Sequence, residues 1–262
     1  MSYNTIEFSI DDDVANLVLN RPERLNSFTT EMHQEVAAAL SDVKKSDARC
    51  LLISANGRGF CAGQDLADES VNPESPTADI GAALENYYNP LIMSLRTLKM
   101  PVVCAVNGVA AGAGANIALA CDIILAGRSA SFVQAFCKIG LVPDAGGTWT
   151  LPRLVGRSRA MALSLLGDKV SAEQAVEWGM IWRCVEDDQL SDEAQKMAKH
   201  LAAQPTTGLV MTRQAINAAA DNTLEQQMAL EADLQRLAAQ TDDYLEGVAA
   251  FSEKRAPNFK GH

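Results

Sequence analysis

The sequence predicts an α/β fold with an appended helical region, and three observations carry that reading. Over roughly the first 190 residues, short apolar runs of strand length alternate with Gly-rich corners and helix-period stretches. Beyond about residue 190 the strand-like runs stop and helical stretches follow one another. The 262 residues, 48% hydrophobic and 21% charged, suffice to bury a sizeable core, so disorder is not expected over most of the chain.

Taken in order, "NLVLN" (16–20) is a short strand that stops at the Pro-containing turn "RPERLNSF". Thr29 or Thr30 can cap the helix "TEMHQEVAAALSDVKK" that follows. "RCLLISA" (49–55) is a second strand, closed by "NGRGF". "PVVCAVNG" (101–108) is a third, and it runs into the small-residue stretch "VAAGAGANIALACDIILA". There a helix from about 112 leads into a strand at 122–126. "SFVQAFCKIG" reads as strand and turn. The polar segment 70–85, with two prolines, reads as a loop over a site. From 158 the pattern turns helical, and Ser171 with Gln174 forms a capping box at the start of "SAEQAVEWGM". Three helical stretches then follow: "SDEAQKMAKHLAAQ", "TTGLVMTRQAINAAA" and "TLEQQMALEADLQRLAAQ". The expected division is a core at 1–195, holding the site, and a helical region at 196–262.

Composition excludes several classes of function. The net charge is −11 and no block of Lys or Arg is present, which argues against a nucleic-acid surface. A few local cations can still hold an anionic ligand. No run of about 18 apolar residues suggests a membrane span. The start, "MSYNTIEFSIDDD", lacks the basic and apolar regions of a secretory signal, so a cytoplasmic location is expected. The six cysteines stand singly in apolar stretches, with no CxxC pair and no His beside them. They read as free thiols in a reducing compartment, and no metal site is expected.

Three stretches can carry chemistry. In "GRGFCAGQDL" (57–66) the glycines and Ala62 allow a tight corner after a strand, leaving amide N–H groups to face a ligand. In "NGVAAGAGANIALACD" (107–122) small residues permit close approach, and a helix starting near Gly112 aims its positive end outward. A dinucleotide fingerprint is rejected there, because position 117 is Ile and no glycine closes the pattern. In "GLVPDAGGTW" (140–149) one carboxylate, Asp144, sits between a proline and two glycines. Read alone, Asp144 is as much a turn residue as a catalyst.

Together with "LNRPERLNSF", "VSAEQAVEWGMI" and "GVAAFSEKRAPNFKG", these stretches resemble the crotonase superfamily, the enoyl-CoA hydratases and isomerases. The resemblance covers nearly the whole chain. It implies a spiral of ββα turns, a C-terminal helical region that forms trimers or dimers of trimers, and an acyl-CoA substrate with no cofactor beyond it. It further implies that the backbone N–H groups of Gln64 and Ala113 bind the thioester oxygen. Arg24 and Leu25 are implied to hold coenzyme A. Ala62, Gly63, Asp65, Leu66, Gly112, Asn116 and Phe136 are implied to form the rest of the acyl-CoA site. The physics agrees: removing a proton beside a thioester gathers charge on the carbonyl oxygen, and one preorganised donor there contributes about 10²–10³ in rate. On this reading Gln64 matters for its amide, not for its side chain.

Hydratases of this family use two glutamates, which would fall at Asn116 and Phe136; both are missing here. The isomerase branches carry an acid at the position of Asp144, and one base suffices for a 1,3-proton shift. Burial among Ala135, Phe136 and Trp149 is expected to raise its pKa. Within the superfamily the motifs are most similar to the branch that converts a ring-1,2-epoxide of phenylacetyl-CoA to an oxepin thioester and shifts double bonds in unsaturated acyl-CoAs. A hydratase or hydrolase using Asp144 to activate water is the rival reading. A non-catalytic, RNA-binding member is a third, opposed by the charge and by the intact acid. Asp65 is expected to cap the next helix. Asn116 bonds either substrate or backbone, and Tyr87 and Tyr88 either line the acyl pocket or pack in the core. His33, His200 and His262 are expected to stand outside the chemistry.

Overall fold

A computed structural model describes residues 3–262. It opens with an antiparallel hairpin of β1 (Ile6–Asp11) and β2 (Val14–Leu19), joined through Asp12 and Asp13, both at positive φ. Two such residues in succession suit the twist of a two-residue hairpin, and Asp tolerates them better than most. The reading that began at residue 16 missed β1, because Ile6 is its one fully buried residue and alternation is faint. Helix α1 (Thr30–Val43) follows, capped by Thr29, whose hydroxyl accepts from Met32 N at 3.3 Å.

Three strand pairs then wind the core. They are β3 (Cys50–Ala55) with β4 (Gly59–Cys61), β5 (Val102–Val106) with β6 (Val109–Ala111), and β7 (Ile123–Gly127) with β8 (Ser131–Val133). Each pair places one strand in each of two sheets. The larger sheet is completed by β10 (Arg183–Val185) in the order β1-β2-β3-β5-β7-β10, and the smaller by β9 (Lys169–Ser171) in the order β4-β6-β8-β9. Strands β4, β6 and β8 are parallel neighbours. Their carboxyl ends therefore lie side by side, and the residues after them, near 63, 112 and 134, meet at one edge. Such edges are where parallel sheets bind ligands.

Helices close the turns: α2 (Ile80–Ala83) and α3 (Asn89–Thr97) flanking a π-helical turn at Leu84–Tyr88, then α4 (Ala113–Leu119), α5 (Gly147–Leu166) and α6 (Ala172–Glu177). Asp79 caps α2 by accepting from Ala82 N at 2.9 Å, so the expected loop at 70–85 becomes helical at residue 80. Helix α5 begins eleven residues before the expected 158 and bends at Gly156 (φ 76°, ψ 160°); Pro152 and Gly156 had masked its first half. Ser171 accepts from Gln174 N at 3.1 Å, which is one half of the expected capping box.

Alternation along β3 splits the interior. Leu51 and Ile53 join the main core, whereas Cys50 and Leu52 face a second cluster on the other side of the sheet. There α7 (Leu190–Ala202) lays Ala194, Ala198 and Ala202 against Val14, Val103, Ala105 and Leu125. Alanine at every fourth position lets the helix approach the sheet closely. The packing of α7 runs across the boundary expected at 195/196, so the core extends to about residue 202. Helices α8 (Thr206–Ala218), α9 (Leu224–Ala238) and α10 (Asp242–Glu253) complete the chain, one more helix than the tail was expected to hold. They leave large apolar side chains in solvent, among them Ile216, Leu245 and Phe251, the last 88% exposed. Among the described residues, no helix is long and apolar enough to cross a membrane.

Candidate active site

The corner after β4 is fixed by backbone pairing to the "RLNSF" turn. Ala62 N donates to Leu25 O at 2.9 Å, Phe28 N to Gly63 O at 2.8 Å, and Asp65 N to Phe28 O at 2.8 Å. Asn26, fully buried, staples that turn: its Nδ2 donates to Asn56 O and Gly59 O, both at 2.9 Å, and its Oδ1 accepts from Arg21 N at 2.7 Å. Among the described residues, these bonds leave the Gln64 N–H without a protein acceptor. Gly63 has φ +95°, and a Cβ there would stand 3.0 Å from Ala111 O and 3.5 Å from Ala113 N. Two backbone segments thus meet closely, and a side chain there would press on Ala111 O at a strained φ.

Across from this corner Gly112 adopts φ 54°, ψ −127°, a conformation suited to glycine alone, and its N–H donates to Val133 O at 2.8 Å. Ala113 is the first residue of α4, so its N–H has no partner inside the helix. With only seven residues α4 has a small dipole, and the directed amide is what matters. Gln64 and Ala113 line one cavity of about 250 Å³.

Asp144 faces the same cavity. Its loop turns through Ala145 (φ +47°) and Gly146 (φ +75°) into α5. Asp144 O accepts from Gly147 N at 2.8 Å and from Asn116 Nδ2 at 2.8 Å; Gln134 Nε2 in turn donates to Asn116 Oδ1 at 2.8 Å. Both Asn116 and Gln134 are 2% exposed. At the carboxyl, Asp144 Oδ1 is buried with no hydrogen-bond partner among the described residues, and the bond the group does receive comes from its own backbone N–H. Burial lifts its pKa from 3.8 to about 6. Ala135 and Phe136 stand in the cavity wall as expected. Trp149 does not; it is held between the guanidinium groups of Arg96 and Arg153, at 4.5 and 3.9 Å.

Behind Gln64, Tyr88 OH donates to Gln64 Oε1 at 2.9 Å. His33 packs edge-on to Tyr88 and stacks on Tyr87. Burial lowers the His33 pKa to about 4, so the ring is neutral, and Nε2 has no partner of good geometry although the Gln64 side chain lies beside it. The Gln64 side chain, which the sequence reading set aside in favour of its amide, is thus held by Tyr88. Tyr88 lines the cavity; Tyr87 does not.

Of the residues singled out in the sequence, Ala62, Gly63, Gln64, Leu66, Gly112, Ala113, Phe136 and Asp144 share the cavity wall. Leu25 and the exposed Arg24 lie outside it, next to Ala62. Asp65 also lies outside. It pairs with Arg21 at 3.1 Å and accepts from Ala67 N at 3.2 Å, and turns rather than a helix follow it, so the expected cap is absent. Asn116 sits beneath the wall, committed to Asp144 O and Gln134. Neither His33, His200 nor His262 lines the cavity. The sequence reading missed Gln134 and the apolar wall of Val71, Ile80, Ala83 and Leu84. The cap-and-helix pattern "DIGAALE" was the available signal for that wall.

A family model described as Enoyl-CoA hydratase/isomerase matches residues 9–262. The chain is 58% identical over 253 residues to the 1,2-epoxyphenylacetyl-CoA isomerase of Escherichia coli K12, covering 96% of this chain and 97% of that one. It is 34% identical over 262 residues to the trans-2-decenoyl-[acyl-carrier-protein] isomerase of Streptococcus mutans, covering all of both. Among solved structures, an enoyl-CoA hydratase from Polaromonas sp. JS666 superposes with a TM-score of 0.89 at 32% identity, covering 98% of this chain and all of that one.

Proposed function

The chain belongs to the enoyl-CoA hydratase/isomerase family, and from that premise we propose that it is an acyl-CoA isomerase in which Asp144 carries the proton. One observation supports this reading above the others: among the described residues, Asp144 is the only acidic side chain in the cavity wall, and its Oδ1 is uncommitted. The other polar groups nearby, Tyr88, Gln64, Asn116 and Gln134, hold one another or the backbone.

The thioester oxygen takes the Gln64 and Ala113 N–H groups. The Asp144 carboxylate removes a proton from the carbon next to the carbonyl, and the electron pair moves into the thioenolate, whose charge the two amides stabilise. The carboxylic acid so formed returns the same proton to the vinylogous carbon. The C=C bond has moved into conjugation, and no atom is gained or lost. A pKa near 6 suits both halves, since the group must accept and release a proton near neutral pH.

The same step serves a ring epoxide. An arene 1,2-epoxide opens to its oxepin by breaking the carbon–carbon bond shared with the three-membered ring. In that oxepin the acetyl thioester is a β,γ-unsaturated acyl group. A 1,3-proton shift from the side-chain methylene to the ring carbon then gives the conjugated ylidene thioester. Ring-epoxidised phenylacetyl-CoA and a linear 3-enoyl-CoA therefore ask the same work of Asp144. Arg24 and Leu25, outside the cavity wall, hold the coenzyme A part on this reading, and Lys138 is the one cation among the described residues that line the cavity. No cofactor beyond the substrate's own coenzyme A is needed. A cytoplasmic trimer or dimer of trimers, joined through the apolar faces of α8–α10, completes the reading.

The test is turnover of ring-epoxidised phenylacetyl-CoA and of a linear 3-enoyl-CoA by the wild type and Asp144→Asn. The variant should lose about 10³-fold or more in turnover and keep most of its affinity for acyl-CoA; near-normal turnover overturns the assignment. The rival reading, water activated by Asp144, requires heavy oxygen from labelled water in the product.

A further inference from the structure

Asn116 and Gln134 are buried polar side chains with no place in the chemistry described above. They nevertheless form a continuous chain that ends on the base. Gln134 Nε2 donates to Asn116 Oδ1 at 2.8 Å, and Asn116 Nδ2 donates to Asp144 O at 2.8 Å. Three separate elements are joined: the end of β8, the middle of α4, and the loop before α5. The contact is tight, because a Cβ on Gly147 would meet Asn116 Nδ2 at 2.3 Å. The loop being held is conformationally costly. Ala145 lies at φ +47°, a region L residues other than Asn and Asp rarely enter, and such a residue persists only when its surroundings over-determine it. Meanwhile the Asp144 carboxyl receives no hydrogen bond at Oδ1, so no partner at that oxygen steers it. The hydrogen bond that the carboxyl does receive comes from its own backbone N–H, so its aim follows the path of its main chain.

Resting on the reading of Asp144 as the base, we infer that Asn116 and Gln134 are positioning residues that clamp the Asp144 main chain and thereby aim its carboxyl at the acyl group. Asn116 does this with a neutral amide, which can accept from Gln134 and donate to a carbonyl at the same time. A carboxylate at 116 has no proton to give and would break the second bond. The side chain at 116 thus supports the acid on the neighbouring loop without exchanging protons itself.

The experiment uses the full-length enzyme and steady-state kinetics with a linear 3-enoyl-CoA. Asn116→Ala should lower kcat about 10–100-fold with KM within about threefold of wild type, since a misaimed base costs turnover and not ground-state binding. Gln134→Met, which keeps the volume and removes the donor, should lower kcat by a smaller factor of about 3–10 and serves if Asn116→Ala folds poorly. Placed in the Asp144→Asn background, Asn116→Ala should add little further loss, because there is no longer a base to aim. Wild-type kcat in both single variants overturns the inference. So does a loss carried in KM, which would make Asn116 a substrate contact, or a full additive loss in the double variant. Failure of the base reading is separate: it shows as normal turnover in Asp144→Asn alone.

Discussion

Tyr88 OH and Gln64 Oε1 are joined by a 2.9 Å hydrogen bond directly behind the amide that faces the acyl cavity. Gln64 is thus held twice, by Tyr88 at its side chain and by the flanking Phe28 ladder at its main chain. Tyr88→Phe removes the donor and leaves a partly buried amide oxygen unpaired, at a cost of about 1 kcal/mol. Turnover should fall roughly tenfold with little change in KM. Unchanged kcat would show that the side chain of Gln64 has no bearing on its amide.

On the proposed reading of Asp144 as the base, it must be ionised to take the first proton, so kcat/KM should fall tenfold per pH unit below a midpoint near 6. The same shift governs stability, with the opposite sign from a salt-bridged carboxylate. Between about 3.8, its ordinary value, and about 6, the folded protein holds a proton that the unfolded chain has lost. Stability from this group therefore declines as pH rises through that window and stays low above it. The penalty is about 3 kcal/mol at most, from two pKa units. Asp144→Asn should accordingly melt several degrees higher than wild type at pH 8, and the gap should close as pH falls from 6 to 4. Thermal melts of both proteins across that range check it; a gap independent of pH contradicts the burial argument.

Gly63 sits where two backbone segments touch. Gly63→Ala would place a methyl 3.0 Å from Ala111 O at φ +95°, strained by about 1–3 kcal/mol. Relief of that strain is expected to shift Gln64 N relative to Ala113 N. Turnover should drop at least 100-fold while the secondary structure measured by circular dichroism is kept.

Phe251, Leu245 and Val248 stand out on α10 with at least half of their surface in solvent. Apolar side chains left in solvent along one helix are what the proposed oligomer would cover. The double variant Leu245→Asp, Phe251→Glu should sediment as a smaller species than the wild type. A wild type that already sediments as a 28.0 kDa monomer would remove the reason for the exposed face.

Much of the fold was legible because its signals are local. Thr29 and Ser171 announce their helices through their own hydroxyls, and β3, β5 and β7 read as apolar runs because both faces of the sheet are covered. Strand β1 was lost because its buried face amounts to Ile6 alone. The first half of α5 was hidden by Pro152 and Gly156, which read as breakers although the helix continues through a kink. Asp65 was misjudged because a capping pattern was visible, while the Arg21 that claims its carboxylate lies 44 residues away.

What the sequence by itself determined is the set of parts. Gly63 and Gly112 must be glycines where the chain turns at positive φ, the acid is at 144, and no carboxylate stands at 116 or 136. Each of these is a property of one residue and its neighbours. Only the tertiary structure decided what the parts do to one another. The parallel pairing of β4, β6 and β8 brings the Gln64 and Ala113 amides to one cavity. Burial raises the Asp144 pKa as expected, but the wall around it holds Ala135 and Phe136 without Trp149, which stacks between Arg96 and Arg153 instead. The Gln134–Asn116–Asp144 chain joins residues 18 and 28 positions apart, so its geometry exists only once the whole spiral has closed.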